Sequence, residues 1–164
     1  DKLEVQVGPA VSQNHDLDTG WQATAKYRFG GHRKFQAVYS HIGGLGLSES
    51  FSRYDRDAAS SSGDCKLNLD YDVKADYLGV GSEVTKGRFT GSVTVGAART
   101  SEKMKISGHH WSESCSSAET HFAFRPEVIY RLTDSGWLVG ASYTGTGVKE
   151  SSVTSIFIGK GSGN

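Results

Sequence analysis

Residues 20–29 read Gly-Trp-Gln-Ala-Thr-Ala-Lys-Tyr-Arg-Phe. From Trp21 to Phe29 an apolar side chain stands at every second position, and polar side chains stand between them. A period of two is that of a β-strand, whose successive side chains point to opposite faces. This stretch therefore predicts a strand of about ten residues with one apolar face and one polar face.

The same alternation recurs along most of the chain. It covers residues 3–11, 21–29, 35–40, 71–77, 88–97, 122–132 and 137–143, and a last segment around Ile156 and Ile158. These segments predict about eight strands, each with one apolar face. Directly after Tyr77 the register is open, because residues 78–81 fit either face and leave room for a β-bulge.

The connections between the predicted strands alternate between long and short. Long loops are predicted near residues 13–19, 48–70, 101–119 and 145–151, and tight turns at residues 30–32, 86–87 and 133–136. In an antiparallel meander every long loop then lies at one end of the barrel. Cys65 and Cys115 both fall in long loops, and neither belongs to a C-x-x-C pair. They predict a disulfide, with two free thiols as the alternative, and no zinc site.

Length and composition limit the class of protein. The 164 residues predict one domain, spanning residues 1–164. Lys plus Arg and Asp plus Glu are 18 each, and this zero net charge argues against a nucleic-acid partner. The 21 glycines disfavour helices. No apolar run approaches the ~18 residues of a membrane-spanning helix.

The alternation fits two kinds of barrel with opposite orientations. In a soluble lipocalin-like carrier the apolar faces line a ligand cavity, whereas in a transmembrane barrel they face lipid. Aromatic residues at the ends of the apolar faces, such as Trp21 and Phe29 around Ala23 and Ala25, favour lipid outside. Eight strands also enclose an interior that side chains can fill. No amphipathic helix of the lipocalin type is visible after Tyr143.

This orientation places the polar faces in the lumen. Their charged residues are Glu4, Lys26, Arg28, Lys74, Asp76, Arg125, Glu127 and Arg131. Opposite charges can pair in the lumen, whereas one charge facing lipid at the midplane costs roughly 2–4 kcal/mol. We expect a structural charge network made of Glu4, Lys26, Arg28, Arg125, Glu127 and Arg131. A conducting pore is not expected from a barrel of about eight strands.

The sequence also resembles a known family. Residues 20–29, which end in Lys-Tyr-Arg-Phe, are similar to the second strand of the OmpX/Ail/PagC/Lom group of outer-membrane proteins. Residues 142–164, with a Ser-Tyr pair and the spaced glycines Gly159 and Gly161, resemble that group's closing hairpin. The resemblance implies an eight-stranded antiparallel up-and-down transmembrane β-barrel in the outer membrane of a Gram-negative bacterium. It implies a function in adhesion or serum resistance, through extracellular strands and loops that bind a host protein.

Two of the predicted long loops carry candidate binding residues. Aromatic and basic side chains supply many of the strongest contacts in interfaces. The candidates in these loops are Phe51, Arg53, Tyr54, Arg56, Lys103, Lys105, His109, His110 and Trp111. Adjacent histidines without a third nearby ligand make a poor metal site, so neither a metal nor a cofactor is expected. The expected partners are outer-membrane lipid and lipopolysaccharide around a monomeric barrel, and a host extracellular protein at its loops.

Some small outer-membrane barrels are enzymes that modify lipid A, which makes catalysis a further hypothesis. Ser40 and His41 are adjacent in a predicted strand and therefore point to opposite faces. His121 and Glu127 are six residues apart on one strand, or about 20 Å. The sequence contains no G-x-S-x-G motif. No catalytic residue is predicted, and a binding protein is favoured over an enzyme.

Overall fold

The computed structural model is a closed antiparallel barrel of eight strands, in which neighbours in sequence pair and β1 pairs with β8. It describes the backbone of residues 3–30, 35–54, 64–108 and 111–161, and the side chains in these ranges other than 49–67. The strands are β1 (Leu3–Ser12), β2 (Gly20–Phe29), β3 (Phe35–Tyr54), β4 (Asp64–Lys86), β5 (Phe89–Ser107), β6 (Ser112–Arg131), β7 (Trp137–Thr144) and β8 (Val153–Gly161). The predicted fold class is confirmed. The described residues include no helix long and apolar enough to span a membrane.

Tight turns lie at one end of the barrel, as predicted. Gly87 and Arg88 alone join β4 to β5, and Gly87 has a φ of 63°. Gly136, with a φ of 96°, lies in the short connection between β6 and β7. Glycine adopts these left-handed conformations without the steric cost that a Cβ atom would add.

The predicted long loops at 48–70 and 101–119 are wrong, because most of their residues belong to strands β3 to β6. Ser48 pairs with Asp70 across β3 and β4, and Lys103 pairs with Ser116 across β5 and β6. These outer parts of the strands lie beyond the lengths of β1, β2, β7 and β8. Because both of their faces are partly polar, the period of two disappears from the sequence while the hydrogen-bonded ladder continues.

Apolar side chains cover the outside of the barrel. Val93 is 55% exposed and Phe122 is 73% exposed, and both point outward. Aromatic pairs border this apolar belt at both ends, Phe89 with Tyr130 at 4.9 Å and Phe124 with Tyr143 at 5.8 Å between ring centroids. The predicted outward orientation is therefore confirmed, and an apolar surface this continuous is typical of a face that avoids water.

Charged side chains form a connected chain inside the barrel. Arg28 on β2 donates to Glu83 on β4 at 2.6 Å and to Glu4 on β1 at 2.6 Å. Glu4 lies 3.5 Å from the amino group of Lys26, which is fully buried. The charges of these side chains therefore alternate in sign from one wall of the lumen towards the other.

The second half of this series of charged side chains reaches the opposite wall of the lumen. Lys26 contacts Glu127 on β6, and the guanidinium of Arg125 forms an ion pair with Glu127 at 2.8 Å. Arg125 also donates to Gln6 at 3.1 Å and to Ser142 at 3.2 Å. Three acidic and three basic groups thus balance each other in a buried network that connects β1, β2, β4 and β6.

Three residues of the predicted lumen set lie elsewhere. Arg131 is half-buried at the end of β6, and no ion pair between described residues includes it. Lys74 and Asp76 are exposed on the outer face of β4, because the alternation that buries Tyr77 turns them outward.

The lipocalin-like alternative is wrong, since charged side chains such as Lys26 fill the interior where a carrier needs an apolar cavity.

Strand β4 changes the side of its apolar face without a bulge. Ala75 and Tyr77 are buried inside, whereas Leu78 is exposed outside. The ladder from Asn68 to Lys86 with β5 is continuous, so the strand keeps its alternation and only the polarity of its sequence switches. The register shift lies in β3 instead, between Ile42 and Leu45.

The switch in polarity gives the barrel an apolar interior beyond the belt. The buried residues of this cluster are Ala10, Leu17, Ile42, Leu45, Val73, Ala75 and Val153. Leu17 belongs to the connection between β1 and β2, so this connection packs into the mouth of the barrel. Polar residues outside and apolar residues inside are the pattern of a barrel in water. The switch therefore marks the end of the apolar belt.

Candidate binding surface on the projecting sheet

Four of the eight strands are longer than the others. The ladder between β2 and β3 ends at Trp21 and Gly43, and the contact between β6 and β7 ends at the bridge of Phe124 with Gly145. Beyond these points β3, β4, β5 and β6 continue as a four-stranded sheet, which we call the projecting sheet. From Val73 outward, β4 extends for about 30 Å at ~3.3 Å per residue.

The outer face of the projecting sheet carries charges of both signs. Asp72 pairs with Lys103 across β4 and β5, and Asp70 pairs with Lys105. Gly46 on β3 has no side chain, and a depression of about 280 Å³ lies here, lined in part by Asp18 and by both lysines. The two lysines of the candidate set are thus brought together on one face.

The inner face of the projecting sheet is apolar with acidic groups. Tyr71 pairs with Met104, and Met104 pairs with Cys115, so these three residues share the inner face. Burial, with the nearby carboxylates of Glu102 and Glu150, raises the pKa of Tyr71 to about 12. The phenol donates its hydrogen bond to Glu102, and this bond favours the protonated form of Tyr71.

The sequence reasoning did not identify the acidic residues of the inner face. Glu102 and Glu119 lie at inward positions because the alternation continues from the buried Ala98 and Ala123. Counting every second residue outward from these two alanines would have found both glutamates. Because residues 101–119 were interpreted as a loop, the alternation of the strands was not extended to them.

Only part of the predicted binding set can be located. Trp111 is 51% exposed at the tip of the β5–β6 hairpin, where its carbonyl accepts from the Gly108 amide at 2.8 Å. Phe51, Arg53 and Tyr54 belong to β3, but their side chains lie outside the described residues. Arg56, His109 and His110 lie outside the described residues entirely.

The predicted disulfide is not formed in the structure, because Cys115 is a free, exposed cysteine. Cys65 pairs with Arg53, whereas Cys115 belongs to the row of Met104 and Tyr71. The two cysteines are therefore six residues out of register, or about 20 Å along the strands. A disulfide needs Cα atoms within about 7 Å. The side chain of Cys65 lies outside the described set.

A histidine–carboxylate pair lies on the outer face of β3 and β4. His41 Nδ1 lies 2.7 Å from Asp76, which also accepts from Tyr39 at 2.7 Å. Ser40 is buried on the opposite face, as predicted. The strand neighbours of His41 are Ala23 and Asp76, and neither has the hydroxyl or thiol that a histidine–carboxylate pair would activate. Within the described ranges, no group of three His, Cys, Asp or Glu side chains is arranged to hold a metal.

Comparison with known proteins gives matches at the level of structure. No model of a known protein family matches the sequence, and no curated protein matches it. The crystal structure of Ail, the attachment invasion locus protein of Yersinia pestis, superposes with a TM-score of 0.56 at 15% identity, covering 97% of this chain and 96% of Ail. Ail in complex with the heparin analogue sucrose octasulfate gives a TM-score of 0.54 at 15% identity, with 96% and 95% covered. This chain therefore has the barrel fold of Ail along nearly its whole length, and the resemblance to the OmpX/Ail/PagC/Lom family is confirmed for the fold.

Proposed function

We propose that this chain is an outer-membrane barrel that displays the projecting sheet as a binding surface for molecules outside the cell. The observation that carries the proposal is the unequal length of the strands, since four of them extend past the apolar belt as a sheet whose edge strands, β3 and β6, pair with no further strand there among the described residues. Unpaired strand edges and exposed sheet faces are common docking surfaces for proteins. The apolar belt supports a location in lipid.

A sulfated glycan is the ligand class with the most direct support. Ail, with the same fold, was solved with a heparin analogue. On this chain Lys103 and Lys105 stand two residues apart on the outer face of β5, where both line the same depression beside the carboxylates of Asp18, Asp70 and Asp72. Trp111 lies at the tip of the same hairpin. Binding to a host surface of the adhesion or serum-resistance type would follow from such contacts.

Charge reversal at the two lysines tests this function. Each exposed charge is worth up to about 1 kcal/mol. We therefore expect the Lys103→Glu, Lys105→Glu double variant to bind heparin about tenfold more weakly than the original chain. The measurement is surface plasmon resonance on immobilised heparin with the refolded protein in lipid nanodiscs.

The control makes the same change at the tight-turn end. Lys86→Glu with Lys160→Glu alters the net charge equally but leaves the projecting sheet unchanged. Equal losses in both double variants would mean that net charge alone attracts heparin. Unchanged binding in the Lys103 and Lys105 variant would contradict the proposal for this face.

The proposed location is tested through Cys115. In a Cys65→Ser variant, Cys115 is the only thiol of the chain. Because this cysteine is exposed on the projecting sheet, we expect a membrane-impermeant maleimide to label it on intact Gram-negative cells. The Cys65→Ser, Cys115→Ser variant gives the background. Labelling that requires permeabilised cells would exclude the proposed orientation of the barrel.

A further inference from the structure

The inner face of the projecting sheet continues the barrel wall past the ends of β1, β2, β7 and β8. Its apolar side chains are not fully covered, since Met104 is 39% exposed and Leu69 and Ile106 are half-buried. Ile106 pairs with Leu69 in the row next to that of Tyr71 and Met104. These four residues form a compact apolar patch across two strands.

Two depressions lie on this face, and each has a carboxylate at its rim. The larger one, of about 280 Å³, is lined by Met104, Ile106, Glu113, Ser114 and Cys115. The smaller one, of about 50 Å³, is lined by Thr100, Glu102, Ser117, Glu119 and Val148. Every charged side chain in the two linings is therefore a glutamate.

The two faces of the sheet differ in charge, because the outer face carries both signs and the described inner face carries acidic groups. On the outer face, residues 68–77 of β4 and 98–107 of β5 carry the cations Lys74, Arg99, Lys103 and Lys105. The inner face is described at the inward positions of three segments, residues 69–75, 100–106 and 113–119. These positions include Glu102, Glu113 and Glu119 but no lysine or arginine. Glu150, on the β7–β8 connection, adds a further carboxylate close to Tyr71, next to the exposed Lys149.

From this pattern we infer that the inner face binds a cationic, amphipathic peptide segment of a partner protein. Apolar side chains of the segment would cover Met104 and Ile106, and its lysine or arginine groups would pair with Glu102, Glu113 and Glu119. The same carboxylates repel sulfated glycans. The inner face is therefore a second surface, and the inference does not depend on glycan binding at Lys103 and Lys105.

Isosteric removal of charge tests the inference. The probe is a fluorescent synthetic peptide of alternating leucine and lysine, titrated against the full chain in zwitterionic nanodiscs, with empty nanodiscs as the blank. The test variant replaces Glu102, Glu113 and Glu119 by glutamine, and the matched control replaces Asp70, Asp72 and Asp76 of the outer face by asparagine. Both variants lose three carboxylates, so only the face differs.

We expect the inner-face variant to bind the peptide about tenfold more weakly, because three partly exposed ion pairs are lost. The outer-face variant should stay within about twofold of the original affinity. Met104→Ser should also weaken binding, and a leucine–glutamate peptide should not bind. Equal effects of the two triple variants, or no effect of either, would overturn the inference. Heparin binding that persists in the inner-face variant shows that the glycan surface is intact.

Discussion

Replacing Glu127 by leucine is expected to lower the free energy of unfolding by about 3–5 kcal/mol, because it removes a carboxylate that two buried cations share. Glu127 contacts Lys26 and forms an ion pair with Arg125 at 2.8 Å, and both cations are 2% exposed or less. Leucine has a similar volume, so lost charge rather than a cavity causes the effect. The measurement is the urea midpoint of tryptophan fluorescence in detergent micelles.

Glu119→Leu is the matched control for this prediction. It makes the same chemical change on the same strand, but the side chain of Glu119 is 66% exposed. We expect a change within about 0.5 kcal/mol, as is usual for a surface substitution. Equal midpoints for Glu127→Leu and the original chain would show that the lumen network contributes nothing to stability.

The lumen network shows how far alternation predicts a site. Glu4, Lys26 and Arg28 were predicted inside because β1 and β2 stay within the apolar belt from end to end, so their polar faces have only the lumen to face. Glu83 was missed, although it follows the buried Tyr77 by six residues and has the same parity. The apparent break after Tyr77 hid this relation, since a change in sequence polarity looked like a change in register.

The errors on Lys74, Asp76 and the long loops have one physical cause. Alternation assigns residues to two faces, but the surroundings decide which face is apolar, and those surroundings change along β4. Within the belt the outside is apolar, as at Leu78, and beyond it the inside is apolar, as at Ala75. A rule that fixes one orientation for a whole strand therefore fails for every strand that extends past the belt.

Arg131 fails for a different reason. It shares a face with Arg125 and Glu127 by parity, but it is the last residue of β6, next to the connection of residues 132–136. At the end of a barrel a long side chain can extend to water, and it then needs no buried partner. The odd or even position of a residue on a strand predicts which face its side chain points to. It does not predict how far the residue lies from the end of the barrel.

The orientation of the belt leads to the second large expected effect, that of Val93→Arg. Val93 lies on β5 between the two borders of aromatic residues, with its side chain outward and 55% exposed. In lipid, arginine at such a position is expected to destabilise the barrel by about 2–4 kcal/mol if it lies near the midplane. The measurement is the free energy of unfolding in phospholipid vesicles, with the fraction folded read from the shift on unboiled gels.

Ser101→Arg provides the comparison on the same strand. Ser101 has the same outward direction as Val93 but lies eight residues further along, beyond the apolar belt and opposite Lys74. Its replacement is expected to change stability by no more than about 0.5 kcal/mol. If both arginine variants fold equally well in vesicles, lipid does not surround Val93, and the belt covers another apolar partner instead. A loss confined to Val93→Arg follows only when the outside of the barrel changes from hydrocarbon to water between these two residues.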